Sequence, residues 1–177
     1  MSFNEMISRG EIGEIDEIIA LTQACGRHMR ENGIDQWDEQ YPDRTSIERD
    51  LQTGTLFALR DTEKILGIVV LNEKQDEEYA EISWSTSEGD KNLIVHRLAV
   101  LPSFQGKGLA RQLMDFAEDF GREQGYAAIR LDTYSQNPGN QRFYRARGYR
   151  DLGPVFLKYK KDHPYYCYEL LLISTNN

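Results

Sequence analysis

Apolar residues recur at Ile12, Ile15, Ile18, Ile19 and Ala24 with charged residues between them, which is helical spacing and predicts a first helix after a short strand near Met6–Ser8. Residues 32–44, "NGIDQWDEQYPDR", carry turn formers and no period, so they read as a loop into a short second helix, "TSIERDLQ", with Thr45 or Ser46 as its cap. "TLFALR" and "KILGIVVLN" are rich in branched residues and flank a polar "DTE", the signature of a hairpin. "YAEISWS" reads as a further strand, and "NLIVHRLAVL", ended by Pro102, as the longest. From Gly108 to about Gln124 the positions Leu109, Ala110, Leu113, Phe116, Ala117 and Phe120 form one helical stripe, with Gly125 as its stop. "AAIRLDT" is then a strand, "NPGNQRFYRARG" a short helix closed by Gly148, and "PYYCYELLLI" a last strand. Strand and helix alternate through the second half, which predicts α/β layering around a mixed sheet. No repeat, low-complexity tract or linker interrupts residues 1–177, so one domain is expected.

Composition narrows the function. Lys and Arg total 21 against 29 Asp and Glu, a net charge of -8, which argues against a nucleic-acid partner while leaving room for a local anion site. Hydrophobic residues make up 40% of the chain, with ten Tyr and seven Phe, as a packed globule requires. Cys25 and Cys167 lie far apart and form no zinc spacing with His28, His96 or His163, so neither a metal nor a disulfide is expected. No run of 18 apolar residues occurs and the N-terminal stretch lacks the order of a signal peptide; the expectation is a soluble, cytoplasmic protein with no membrane partner.

The stretch "HRLAVLPSFQGKGLARQLMDF" places Gly106 and Gly108 where a strand hands over to a helix, with Lys107 and Arg111 beside them. A helix N-terminus offers unpaired N–H groups and partial positive charge, and glycines let a phosphate reach the bare backbone. The two glycines could equally serve a tight turn alone. Neither G-x-x-x-x-G-K-[ST] nor G-x-G-x-x-G is completed, which demotes ATP and NAD as ligands.

"QGKGLA" fits the [QR]-x-x-G-x-[GA] loop of the GNAT superfamily of acyl-CoA-dependent N-acyltransferases, and "NPGNQRFYRARGYRDLG" is similar to that family's N-x-x-A-x-x-[FL]-Y-x-x-x-G-[FY] segment, with Asn140 where Ala is usual. The chain resembles this family over about 60 residues, Leu93 to Gly153. The resemblance implies a GNAT-like α/β fold: a central mixed, mostly antiparallel sheet flanked by helices and splayed at the acyl-CoA site. It implies acetyl-CoA as co-substrate, with the backbone of Gln105, Gly106, Lys107, Gly108, Leu109 and Ala110 on the pyrophosphate and Arg111 next along the helix. Leu98, Ala99 and Val100 would pair the pantetheine arm through main-chain atoms, Asn137 would contact that arm, and Tyr144 would stand near the sulfur. Each has a plainer reading: strand core for Leu98 and Val100, helix cap for Asn137, packing for Tyr144.

Direct transfer to an amine needs a neutral nitrogen, a donor to the oxyanion and a proton or hydrogen bond for the departing thiolate. Tyr144 is the candidate acid and a backbone N–H near Leu98 the candidate oxyanion donor. His96 is the candidate base, sharing a strand face with Leu98 and Val100 if the two-residue period holds; Glu81, Asp132, Glu169 or a relaying water are alternatives. Arg130 and Asp132 fall on one strand face and Arg97 on the long strand, suggesting a buried ion-pair group. For a cationic acceptor, Trp37, Tyr41, Glu81 and Trp84 are the candidate contacts, among the acidic residues Asp35, Asp38 and Glu39; a solvated loop and core packing are the alternatives. The expected function is an N-acetyltransferase acting by direct attack on a primary amine of a small molecule or peptide. The rivals are another acyl-CoA donor or a non-catalytic CoA-binding domain. An edge strand or "YYCYELLLI" is a candidate surface for pairing into a homodimer.

Overall fold

A computed structural model describes residues 6–160 and 162–172. Among these, seven strands form one sheet in the order β1-β2-β3-β4-β5-β7-β6: β1 (Met6–Arg9), β2 (Leu56–Arg60), β3 (Ile65–Asn72), β4 (Asn92–Val100), β5 (Ala128–Tyr134), β6 (Arg150–Val155) and β7 (Tyr165–Leu171). The helices are α1 (Ile15–Glu31), α2 (Arg44–Gln52), α3 (Leu109–Glu123) and α4 (Pro138–Ala146). The sheet is mixed and mostly antiparallel. The pairs β1–β2, β2–β3, β5–β7 and β6–β7 run antiparallel, while β4 and β5 run parallel from Asn92↔Ala128 to Ile94↔Arg130.

The described residues of Met1–Leu71 and Val95–Ala117 form one compact unit, and those of Asn72–Ile94 and Glu118–Asn177 a second. In the first, Ile15, Ile18, Leu21 and Cys25 of α1 and Ile47 and Leu51 of α2 pack with Leu56, Ala58, Ile68 and Val70 of the hairpin. Each Ile, Leu or Val side chain among them, fully buried, contributes about 1.5–3 kcal/mol. Ile12 falls outside this stripe: it lies in a 3-10 turn before α1 and is exposed. The expected hairpin is present, its turn held by the Asp61 carboxylate, which accepts the N–H of Glu63 and of Lys64 at 2.8 Å each.

Four expectations change. The cap of α2 is Asp43, whose carboxylate accepts the Ser46 N–H at 2.9 Å, not Thr45 or Ser46; Ser46 is the donor. "YAEISWS" is not a strand. Residues Glu77–Glu81 form a 3-10 turn, and the Trp84 indole N–H donates to the Tyr79 carbonyl at 2.8 Å, closing a local fold in place of a ladder. β6 is a strand the pattern did not predict, because Gly153 (φ 113°) sits at a register shift and Pro154 is tolerated at a sheet edge. Finally, β7 lies inside the sheet with β5 and β6 on its two sides, so this segment offers no free edge to a second copy; the edges are β1 and β6.

Candidate active site

In the first unit, β4 leads through a 3-10 turn (Pro102–Phe104) into the glycine loop and α3. Gly106 and Gly108 have φ of 77° and 83°, a region that costs other residues about 1–2 kcal/mol, and no atom lies within 4 Å of where a Cβ would stand on either. The loop's glycines thus face open space. The first intrahelical bond runs from the Gln112 N–H to the Gly108 carbonyl at 3.1 Å, leaving the Leu109, Ala110 and Arg111 amides without an acceptor inside the helix. The Gln105 amide donates back to the Val100 carbonyl at 3.0 Å, tying the loop to β4. Lys107 lies with its ammonium 5.0 Å from the Phe104 ring centre, and Lys64, from the β2–β3 turn, 4.7 Å from the same ring. Lys64 adds a cation to the loop that no local motif reveals. Open glycines, free amides and clustered ammonium groups suit a pyrophosphate.

Strand β4 is not regular where it approaches this loop. Arg97 has φ 47°, so the two-residue alternation that would put His96, Leu98 and Val100 on one face is interrupted there. His96 and Leu98 are half-buried, and Ala99 and Val100 buried. Arg97 does not join Arg130 and Asp132 in one group: its Nε and Nη2 grip the Asp50 carboxylate of α2 at 2.7 and 2.6 Å, and its Nη1 donates to the Tyr41 hydroxyl at 3.3 Å. Trp37 is buried in the core, with Tyr41 edge-on to it at 6.1 Å. Both rings pack against the core of this unit. Cys25 is buried and donates to the Val100 carbonyl at 3.1 Å; loss of solvent pushes its thiol up to about 12.

In the second unit, Asn137 caps α4 through a bond from the Asn140 N–H to its side-chain oxygen at 3.2 Å, and Asn140, the residue that departs from the family pattern, donates to Thr133 Oγ1 at 3.2 Å. The start of α4 is thereby fastened to β5. Gln141 adds a bond to the Ser135 carbonyl at 2.8 Å. Tyr144 is 5% exposed, edge-on to Phe143 (5.2 Å) and Tyr149 (5.8 Å) and tilted against Tyr168 (6.0 Å). Burial first, and the Asp132 charge second, raise its pKa, so it remains an O–H donor at every physiological pH.

Arg130 and Asp132 do share a face of β5, but they have different partners. Arg130 lies across from Glu169 of β7 and donates to it from Nε at 3.1 Å, to Gln75 at 2.9 Å and to Thr86 at 2.6 Å; its guanidinium lies 4.3 Å from the Trp84 ring centre. Glu169 also accepts the Ser85 N–H at 2.8 Å, so both its oxygens are used. Trp84 has Arg130 as its cation and Tyr79 as its aromatic neighbour, at 5.1 Å. Glu81 is exposed on the 3-10 turn. Asp132 accepts the Tyr79 hydroxyl at 2.6 Å, and burial pushes its carboxyl up to about 6 against the opposing effect of that bond. Tyr79 itself was not among the residues singled out from sequence. It comes from a segment 53 residues before Asp132, and nothing local marks the pair.

A protein-family model described as acetyltransferase (GNAT) family matches residues 17–149. The chain belongs to the acetyltransferase (GNAT) family. It is similar to the uncharacterized N-acetyltransferase YesJ of Bacillus subtilis, 25% identical over 142 residues that cover 79% of this chain and 78% of that one. Among solved structures, a GNAT-family acetyltransferase from Streptococcus agalactiae superposes with a TM-score of 0.81 at 24% identity, over 97% of this chain and 98% of that one. Salmonella typhimurium yncA, solved with its cofactor acetyl-CoA, superposes with a TM-score of 0.69 at 15% identity, over 98% and 96%. This GNAT protein is accordingly an acyltransferase, and its mixed, mostly antiparallel sheet flanked by helices matches GNAT structures. Among the described residues no helix is long and apolar enough to cross a membrane, and no group of three or more His, Cys, Asp or Glu could hold a metal.

Proposed function

We propose that this chain, acting as one GNAT domain, transfers acetyl from acetyl-CoA to a primary amine of a small molecule or peptide by direct attack in a ternary complex. The observation that carries the reading is the loop at Gly106 and Gly108, where two left-handed glycines open the backbone at a helix start. The backbone from Gln105 to Ala110 would take the pyrophosphate, with Lys107 and Arg111 supplying charge. Leu98, Ala99 and Val100 would bond the pantetheine amides through main-chain atoms, and Asn137 would address the same arm. Tyr144, held in its protonated form, would donate to the sulfur as the C–S bond breaks. Trp37, Tyr41, Glu81 and Trp84 remain the residues proposed for the acceptor side, the aromatics as rigid walls. The free, buried thiols of Cys25 and Cys167 accord with a reducing compartment, and we place the enzyme in the cytoplasm.

Calorimetric titration with acetyl-CoA, against ATP and NAD, tests the loop. Selective acetyl-CoA binding supports it, and absence of binding to folded protein removes it. A screen of primary amines read by CoA release, repeated with longer acyl-CoA donors, then separates acetyl transfer from transfer of another acyl group. Binding without transfer to any acceptor would identify a non-catalytic CoA-binding domain.

A further inference from the structure

We propose that Asp132 takes the proton from the acceptor amine, with Tyr79 as the residue that positions its carboxylate. This deepens the acetyltransferase reading and rests on it.

Among the described residues, Asp132 is a carboxylate without a countercharge. Arg130 stands two residues away on the same strand face, yet its guanidinium is engaged by Glu169, Gln75 and Thr86. Directly opposite Asp132 on β7 is Cys167, a free and fully buried thiol. Tyr79 donates from its hydroxyl to Oδ2 at 2.6 Å, Tyr144 on α4 feels the Asp132 charge, and the remaining group that acts on it electrostatically is another carboxylate, Asp76. A structural carboxylate in such a place is normally paired with a cation, since an isolated buried charge is costly. Here the available arginine is spent elsewhere. Keeping Asp132 charged but unpaired is costly for the fold and useful for proton transfer, because a base works best with a pKa near the working pH.

The orientation agrees. Asp132 is half-buried as a residue, and its Tyr79 partner is 3% exposed and fixed: the ring packs on Trp84 at 5.1 Å and its carbonyl accepts the Trp84 indole N–H. Among the described residues the hydrogen bond to this carboxylate is the one Tyr79 makes at Oδ2, which leaves Oδ1 for the substrate. The other acidic candidates are less suited. Glu169 has both oxygens bonded, and Glu81 is solvated.

The proton balance is simple. An acceptor arriving as an ammonium loses two protons. One N–H bond breaks to form O–H on Asp132, which later releases that proton to water. The nitrogen lone pair then forms the N–C bond, and as the C–S bond breaks the second proton leaves nitrogen for the Tyr144 oxygen while the Tyr144 hydroxyl proton passes to sulfur. The products are an amide and a thiol.

The test follows CoA release from acetyl-CoA against pH, with benzylamine, spermidine and water alone as acceptors, in the wild type, Asp132→Asn, Tyr79→Phe and His96→Asn. Side-chain carboxyl resonances of 13C-labelled Asp are titrated in parallel. Wild type should lose kcat/KM below about pH 6, and one Asp resonance, absent from Asp132→Asn, should titrate with it. Asp132→Asn should fall by about 10²-fold and lose the acid limb while still binding acetyl-CoA. Tyr79→Phe should move limb and resonance together to higher pH, because the lost bond favoured the ionised form. An Asp132→Asn enzyme that keeps rate and limb, a limb that Tyr79→Phe leaves in place, or a limb that vanishes in His96→Asn would each overturn the assignment. If wild type neither binds acetyl-CoA nor releases CoA, the acetyltransferase reading itself has failed; if wild type turns over and Asp132→Asn does so equally, only the base has.

Discussion

Arg97 grips Asp50 with two nitrogens, Nε to Oδ2 at 2.7 Å and Nη2 to Oδ1 at 2.8 Å, from a backbone position whose φ is 47°. A non-glycine residue in that region is strained, and strain of this kind persists only where its surroundings hold it in place. The ion pair provides the hold: Asp50 is buried in α2 and Arg97 nearly so, and the same guanidinium reaches the Tyr41 hydroxyl. Asp50→Ala leaves the Arg97 charge buried without its partner, a loss of about 3–5 kcal/mol that should lower the thermal midpoint on the order of 10 °C. Calorimetric melting measures it, and a midpoint within a degree or two of wild type would show that the pair does not hold the irregular strand.

The glycine loop makes a separate prediction. Gly108→Asp puts a side chain on a residue with φ 83° and a negative charge where phosphate is proposed to bind. Strain alone costs about 1–2 kcal/mol, and like-charge repulsion adds to it. Acetyl-CoA affinity should fall by at least about tenfold, with the melting temperature showing that the variant is folded. Unchanged affinity in a folded variant would remove the loop from the binding site.

Tyr144→Phe keeps the ring contacts with Phe143, Tyr149 and Tyr168 and removes only the hydroxyl. If that hydroxyl serves the departing sulfur, kcat should fall by about 10²-fold while acetyl-CoA affinity changes little. Steady-state kinetics beside calorimetric binding separates the two. Equal turnover would reduce Tyr144 to packing.

What could be read from sequence was the part written locally. The stripe of α3, the turn at Gly106 and Gly108 and the spacing from Asn137 to Tyr144 are short-range patterns, and each forms the element or turn expected. β6 escaped because Gly153 and Pro154 look like breakers until an edge position and a register shift accommodate them. "YAEISWS" misled because its aromatics resemble strand residues, whereas Tyr79 and Trp84 satisfy one another across a few residues. The pairs Arg97–Asp50 and Tyr79–Asp132 join residues 47 and 53 apart, and no periodicity carries such information.

Asp132 also predicts an unusual pH dependence of stability. Its folded pKa, raised by burial to about 6, lies above the usual carboxylate value, so between the two the folded chain binds more protons than the unfolded one and stability falls as pH rises. The penalty is absent below about pH 4 and complete above about pH 6, where a shift of this size amounts to about 3 kcal/mol. Asp132→Asn can still accept the Tyr79 hydroxyl but carries no charge. It should therefore match wild type in denaturant unfolding near pH 4 and exceed it at pH 8 by up to about 3 kcal/mol. A variant more stable yet slower in acetyl transfer is the pattern expected where a site keeps a charge at the fold's expense. If Asp132→Asn is instead less stable than wild type at pH 8, the ionised carboxylate stabilises the fold, and its retention needs no functional explanation.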